Sequence, residues 1–213
     1  MNYDNFLKAT LNIENITLPA QDAHLKMMPP ERRDINVSVD HIKRAKQAAV
    51  LALFYPGKNY NTHFVLILRN TYKGHHAAQV SFPGGKPEPQ DAGSLLRTAT
   101  RETFEEVGIS AKAVKILKPL SPVYIPPSNF NVQPFIGVLK DAPVFKRDTR
   151  EVNKIIEVDL KYFLDDKRVI THEVLTSYNA KKQVPAYNLL GYNVWGATAM
   201  MLSEIKDLLK QML

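Results

Sequence analysis

Three carboxylates, Glu102, Glu105 and Glu106, follow Arg101 and precede Gly108, and a glycine pair, Gly84-Gly85, stands upstream of them. Glycine is the residue that most often closes a helix in a left-handed conformation, so the acids fall in the last turns of a helix. There the macrodipole already carries partial negative charge. Glu102 and Glu106 are also a like-charged i,i+4 pair, which costs roughly 0.2–0.5 kcal/mol in an isolated helix. Such crowding asks for a compensating cation, and hard oxygen ligands suit Mg²⁺ or Mn²⁺. The alternative is a solvated acidic face with Arg101 paired to Glu105 at i,i+4.

The element that positions these groups follows from helical periodicity. At about 100° per residue, Leu95, Leu96, Ala99, Thr103 and Val107 form one apolar stripe that faces a core. Glu102 and Glu106 lie along one edge of it, Glu105 slightly further round and Arg101 further still, which places the carboxylates on a rim. Ahead of the helix, Pro83 restricts the turn, and bare glycine backbone lets a carbonyl or N–H approach an ion or a phosphate closely.

Together, Gly85 to Ile109 resemble the Nudix box, G-x5-E-x7-R-E-U-x-E-E-x-G-U, where U is an aliphatic or similar apolar residue. The half from Arg101 to Ile109 fits closely. Thr103 replaces the usual apolar residue, Asp91 stands where the first glutamate belongs, and Gly85 to Arg101 is sixteen positions where the motif has fourteen. The stretch from His76 to Gly85 resembles the extra signature of the coenzyme A pyrophosphatase branch of that family, with Ala78 where the signature has glycine. Val65-Leu66-Ile67-Leu68-Arg69 resembles its Leu-Leu-x-x-Arg half.

The resemblance implies an α+β fold, the Nudix fold, with a mixed sheet sandwiched between helices. It implies hydrolysis of the phosphoanhydride in a nucleoside diphosphate linked to another group, with coenzyme A or an acyl-coenzyme A as first-choice substrate. Glu102, Glu105, Glu106 and the Gly85 carbonyl would hold Mg²⁺ or Mn²⁺, Arg101 would orient the acids, and Asp91 or Glu88 would assist. Arg69, His76 and Gln79 become candidates for substrate contact. So do Ser128, Asn129 and Phe130, in a proline-rich loop of the kind that carries function. Glu151, at the entry to a late strand, is the candidate general base. The alternatives are a Nudix hydrolase of ADP-ribose or another dinucleotide-like compound, and a non-catalytic domain that senses a nucleotide. Ala78 bears on the first, because one methyl in a tight groove is worth ~1–3 kcal/mol of discrimination.

His75 and His76 invite a metal reading, but neighbours on a strand point to opposite faces, so the pair is poorly placed to bind one ion. A chain of 213 residues, 45% hydrophobic, can bury a full core. The organisation expected is an N-terminal arm and helix over 1–46 packed on a domain over 47–213. Residues 5–11 are compatible with a short helix; beyond them the prolines predict an irregular arm up to Arg33, then a helical connector over 37–46. Strands are expected over 48–55, 64–68, 79–82, 114–117, 132–139, 169–178 and 187–194, with a terminal helix whose Trp195, Met200 and Met201 fill a core.

With no cysteine there is no disulfide framework, thiol nucleophile or cysteine metal site. No apolar run reaches the ~18 residues of a membrane span, and the first residues lack a signal peptide's basic-then-apolar order. A cytoplasmic protein with no membrane partner is the expectation. The net charge of +7 fits a polyanionic ligand or simply excess surface lysine. No nucleic-acid-reading motif is evident; the resemblance implies a small nucleotide as the partner, and the sequence is compatible with a homodimer.

Overall fold

The computed structural model describes residues 1–33, 38–70, 79–175 and 181–212. Its centre is β1 (Lys46–Pro56), in which Val50, Ala52 and Phe54 enter one core while Ala49, Leu51, Leu53 and Tyr55 enter another. The strand is apolar almost throughout because both its faces are covered. A hairpin joins it to β2 (Thr62–Arg69), and the two pair antiparallel only near the turn, with Phe54 opposite Phe64 and Pro56 opposite Thr62. Beyond that point they part. Two short strands fill the gap, β3 (Val80–Ser81) against β2 and β4 (Gly84–Gly85) against β1. The glycine loop is thereby wedged into the middle of the sheet.

The rest of this sheet is β5 (Val114–Pro119), β6 (Val123–Ile125), β7 (Phe130–Leu139) and β8 (Val152–Asp159). Strand β7 runs parallel to β1 and antiparallel to β5 and β6, and β8 is antiparallel to β2, so the sheet is mixed as expected.

In the N-terminal segment, helix α1 (Tyr3–Ala9) answers the short helix expected over 5–11, but the stretch beyond it departs from the expectation of an irregular arm. That stretch carries α2 (Ala20–Met27) and α3 (Pro30–Arg33), followed by the connector α4 (Val39–Lys43). Pro19 and Pro30 sit at helix starts, where a missing N–H leaves no bond unmade. The segment is held by burial: Tyr3 and Phe6 are fully enclosed in the main core, and Tyr3 Oη donates to the Leu139 carbonyl at 2.5 Å.

Helix α5 (Leu95–Val107) covers one face of the sheet, and α6 (Leu160–Leu164) follows β8. A second sheet of β9 (Val169–Leu175), β10 (Lys181–Leu189) and β11 (Tyr192–Trp195) leads into α7 (Gly196–Lys210) on the other face. The single strand expected over 187–194 is in fact the end of β10 and all of β11. Leu190 and Gly191, at φ 54° and 86°, form a two-residue turn between them. The expected strand over 169–178 ends at Leu175, and positions 176–178 lie outside the described residues. Met200 and Met201 are buried as expected, while Trp195 is half-buried.

Candidate active site

Helix α5 starts at Ser94, whose side chain accepts from the Arg97 N–H, and stops at Gly108 in the left-handed conformation, φ 80°. Its inner face carries Ala99, Thr103 and Val107, as the periodicity requires, with Leu95 and Leu96 half-buried, but also Thr98 and Glu106. The rim expected for the carboxylates is thus corrected. Glu106 is only 1% exposed, the Glu102 side chain 13% and the Glu105 side chain 47%. Glu106 can be buried because one group from the wedge and one from β2 meet it. The Gly84 N–H donates to Oε2 at 2.8 Å and Arg69 Nη1 donates to Oε1 at 3.0 Å. Arg69, at the end of β2, therefore points into the site and leans also toward the Gly84 carbonyl at 3.4 Å.

The second arginine organises the outer acids. Arg101 Nη1 lies 2.9 Å from Glu105 Oε2 and 3.2 Å from Glu102 Oε1, so the i,i+4 pairing offered as an alternative is real for Glu105. The other side of the guanidinium donates to Asp91, Nε to Oδ1 and Nη2 to Oδ2, both at 3.0 Å, and Nη2 also reaches the Lys86 carbonyl at 2.9 Å. Asp91 is buried and also accepts from Thr98 Oγ1 at 2.9 Å. These bonds hold its carboxyl down at about 2. Asp91 thus serves Arg101, and the short helical turn Pro89–Asp91 brings it there. Glu88 is exposed, 4.0 Å from Arg101.

Burial pushes the Glu106 carboxyl up to about 8, against the pull of Arg69 and the Gly84 N–H, and the charges of Glu102 and Glu151 push it further. Burial likewise raises Glu102, opposed by Arg101 and reinforced by Glu105 and Glu151. The charge of Glu151, exposed just before β8, thus reaches both helix acids. Among the described residues no three acidic or imidazole side chains converge on one point as they stand. The chemistry of the donors nonetheless fits a hard divalent cation: carboxylates crowded until their charge is disfavoured are groups that such a cation relieves. The backbone leaves room too. A Cβ on Gly85 would overlap the Glu102 carboxylate, so that carboxylate lies directly against bare backbone.

The loop at the start of β7 borders this centre. Ser128 closes a short turn, and Asn129, at φ 51°, accepts from Tyr124 Oη at 3.0 Å. Its carbonyl accepts the Lys46 N–H at 2.9 Å. Phe130 is half-buried, with Lys46 Nζ 5.8 Å and Lys86 Nζ 5.5 Å from its ring centre. Neither lysine is singled out by sequence pattern, since their meeting depends on pairing between β1 and β7. The Gln79 carbonyl accepts the Arg69 N–H at 3.1 Å, tying β3's approach to the arginine. His75, His76 and Ala78 lie outside the described residues.

Residues 45–168 match the model of the NUDIX domain. An uncharacterized Nudix hydrolase, NudL, of Yersinia enterocolitica is 35% identical over 150 residues, covering 66% of this chain and 71% of that protein. Nudix hydrolase 15, mitochondrial, of Arabidopsis thaliana is 30% identical over 166 residues, and the match spans 75% of this chain but only 57% of the plant protein. Among solved structures, the Nudix hydrolase RenU of M. smegmatis superposes with a TM-score of 0.55 at 13% identity, covering 79% of this chain and 88% of that one. That likeness is one of fold.

Proposed function

The chain belongs to the Nudix family and is a pyrophosphohydrolase of small nucleotide compounds; within that activity we propose that its substrate is coenzyme A or an acyl-coenzyme A, released as 3′,5′-ADP and 4′-phosphopantetheine. The reading of a non-catalytic sensing domain gives way to the family's hydrolytic activity. What carries the proposal is the meeting of the two stretches that resemble the coenzyme A signature. Arg69 from one and Gly84 from the other both bond Glu106, at 3.0 Å and 2.8 Å.

In this reading Glu102, Glu106 and the Gly85 carbonyl hold Mg²⁺ or Mn²⁺, with Glu105 on the outer side. When bound, the cation neutralises the diphosphate and lowers the pKa of a water molecule. The chain's own residues supply the rest. Arg101, locked by Asp91, fixes the oxygens of Glu102 and Glu105. Arg69 balances the Glu106 charge and stands ready for a substrate phosphate. Glu151 takes the proton as the water oxygen bonds to phosphorus and the anhydride P–O bond breaks. Ser128, Asn129, Phe130 and Gln79 border the substrate.

The test is a panel of coenzyme A, ADP-ribose, diadenosine polyphosphates and nucleotide sugars with Mg²⁺ or Mn²⁺, resolved by chromatography. The proposal expects coenzyme A or an acyl derivative to show the highest kcat/KM. A preference of about tenfold or more for ADP-ribose or a dinucleotide would replace it.

A further inference from the structure

Beside the carboxylate centre, two ammonium groups share one aromatic ring. Lys46 is the first residue of β1 and Lys86 follows the glycine pair. They are forty residues apart in sequence, yet their Nζ atoms lie 5.8 Å and 5.5 Å from the Phe130 ring centre. Each is anchored through its backbone. The Lys46 N–H bonds the Asn129 carbonyl at 2.9 Å, and the Lys86 carbonyl accepts from Arg101 Nη2 at 2.9 Å. None of the ion pairs among the described residues involves either lysine, and both side chains are exposed. The ring thus holds together two positive charges that form no ion pair among the described residues, and Lys86 directly follows Gly85.

We propose that Lys46, Lys86 and Phe130 form a clamp for a phosphate monoester on the substrate's ribose, separate from the diphosphate that is cleaved. Two charges decide the class of ligand. A phosphate monoester carries about −1.5 to −2 at neutral pH with three strong acceptor oxygens, which matches two ammonium groups. Each phosphate of a doubly esterified diphosphate carries a single charge, and the diphosphate has the carboxylate-held cation and Arg69 to meet it. Lysine suits the task as a compact, mobile point charge with three donors. Phe130 spends its ring on the two lysines, so it spaces the charges rather than offering a bare face for a base to stack on. The clamp selects nucleotides phosphorylated on the ribose over those without such a group. This deepens the coenzyme A reading and rests on it, since coenzyme A carries a ribose phosphate monoester and ADP-ribose does not.

The experiment compares kcat/KM for coenzyme A and dephospho-coenzyme A, which differ only in that phosphate, in the wild type and in Lys46→Ala, Lys86→Ala and the double variant. The wild type should prefer coenzyme A by about tenfold or more, mainly through KM, and the double variant should bring the ratio close to one. A wild-type ratio near one, or a ratio that survives the double substitution, overturns the clamp. A second arm separates the clamp from the coenzyme A reading. Calorimetric binding of adenosine 3′-monophosphate and of adenosine is measured with chelator present. If neither coenzyme A form is hydrolysed but the 3′-monophosphate binds about tenfold tighter than adenosine and loses that advantage in the double variant, the substrate reading fails and the clamp stands. Equal binding of the two compounds overturns the clamp whatever the substrate.

Discussion

Consider Glu106→Gln in chelator-treated protein, followed by thermal melts from pH 6 to pH 9. Burial raises the Glu106 carboxyl from 4.5 to about 8 in the folded chain. The unfolded chain therefore releases this proton near pH 4.5 while the folded chain keeps it until about pH 8. Its contribution to stability is full below 4.5, declines as pH rises, and is spent above about 8. At about 1.4 kcal/mol per pKa unit, the whole change is on the order of 5 kcal/mol, of which about 3 kcal/mol falls between pH 6 and 9. For a domain of this size that is about 6–12 °C in Tm.

Glutamine cannot ionise, keeps an acceptor for the Gly84 N–H, and resembles the protonated acid. Whatever the two Tm values are at pH 6, their difference should move by about 6–12 °C in favour of Glu106→Gln by pH 9. Mg²⁺ or Mn²⁺ should reverse this for the wild type alone, because a ligand that binds the folded state stabilises it and ionised carboxylate is what binds. A Tm difference that stays flat with pH, or moves the other way, would refute the claim that a buried charge is held in check at this position.

Other outcomes follow from the same geometry. Glu102→Gln should lower kcat by at least about 10²-fold with the fold intact, and excess chelator should abolish wild-type activity; full turnover without a divalent cation would sink the metal reading. Gly85→Ala places a methyl where the Glu102 carboxylate lies, so it should weaken Mn²⁺ binding about tenfold or more, measured by calorimetry; unchanged affinity would remove this backbone from the site. Glu151→Gln should lower kcat strongly and erase the acidic limb of the pH–rate profile. Because the Glu151 charge raises Glu106, it should also shift the pH dependence of the metal-free Tm to lower pH. An intact profile would return the base role to the helix acids.

The acidic helix was legible because its evidence is local: a 3.6-residue period, a glycine stop and three glutamates at the end. The burial of Glu106 was not, because the wheel sees only the helix, while the groups that enclose Glu106 arrive from β2 and β4. The same limit explains the arm. Its helices are short and their prolines read as breakers, yet Tyr3 bonds Leu139 and His24 lies 3.2 Å from the buried Glu204, contacts 136 and 180 residues away in sequence. The turn at Leu190-Gly191 was missed because leucine rarely takes a positive φ; only Gly191 marked it.

The lysines of the clamp show why such gaps fall at the site. Lys46 stands opposite Phe130 in the parallel register of β1 and β7, and Lys86 follows the glycines that pair with β1. A lysine at a strand's first residue or in a loop carries no periodicity and no turn preference, so its sequence signal is that of any solvated surface. What makes these two different is a backbone bond apiece and one ring between them, and both exist only once the wedge has closed. The site is thus read from sequence where its chemistry is concentrated in one helix, and from structure where substrate recognition is divided among strands that meet only in the fold.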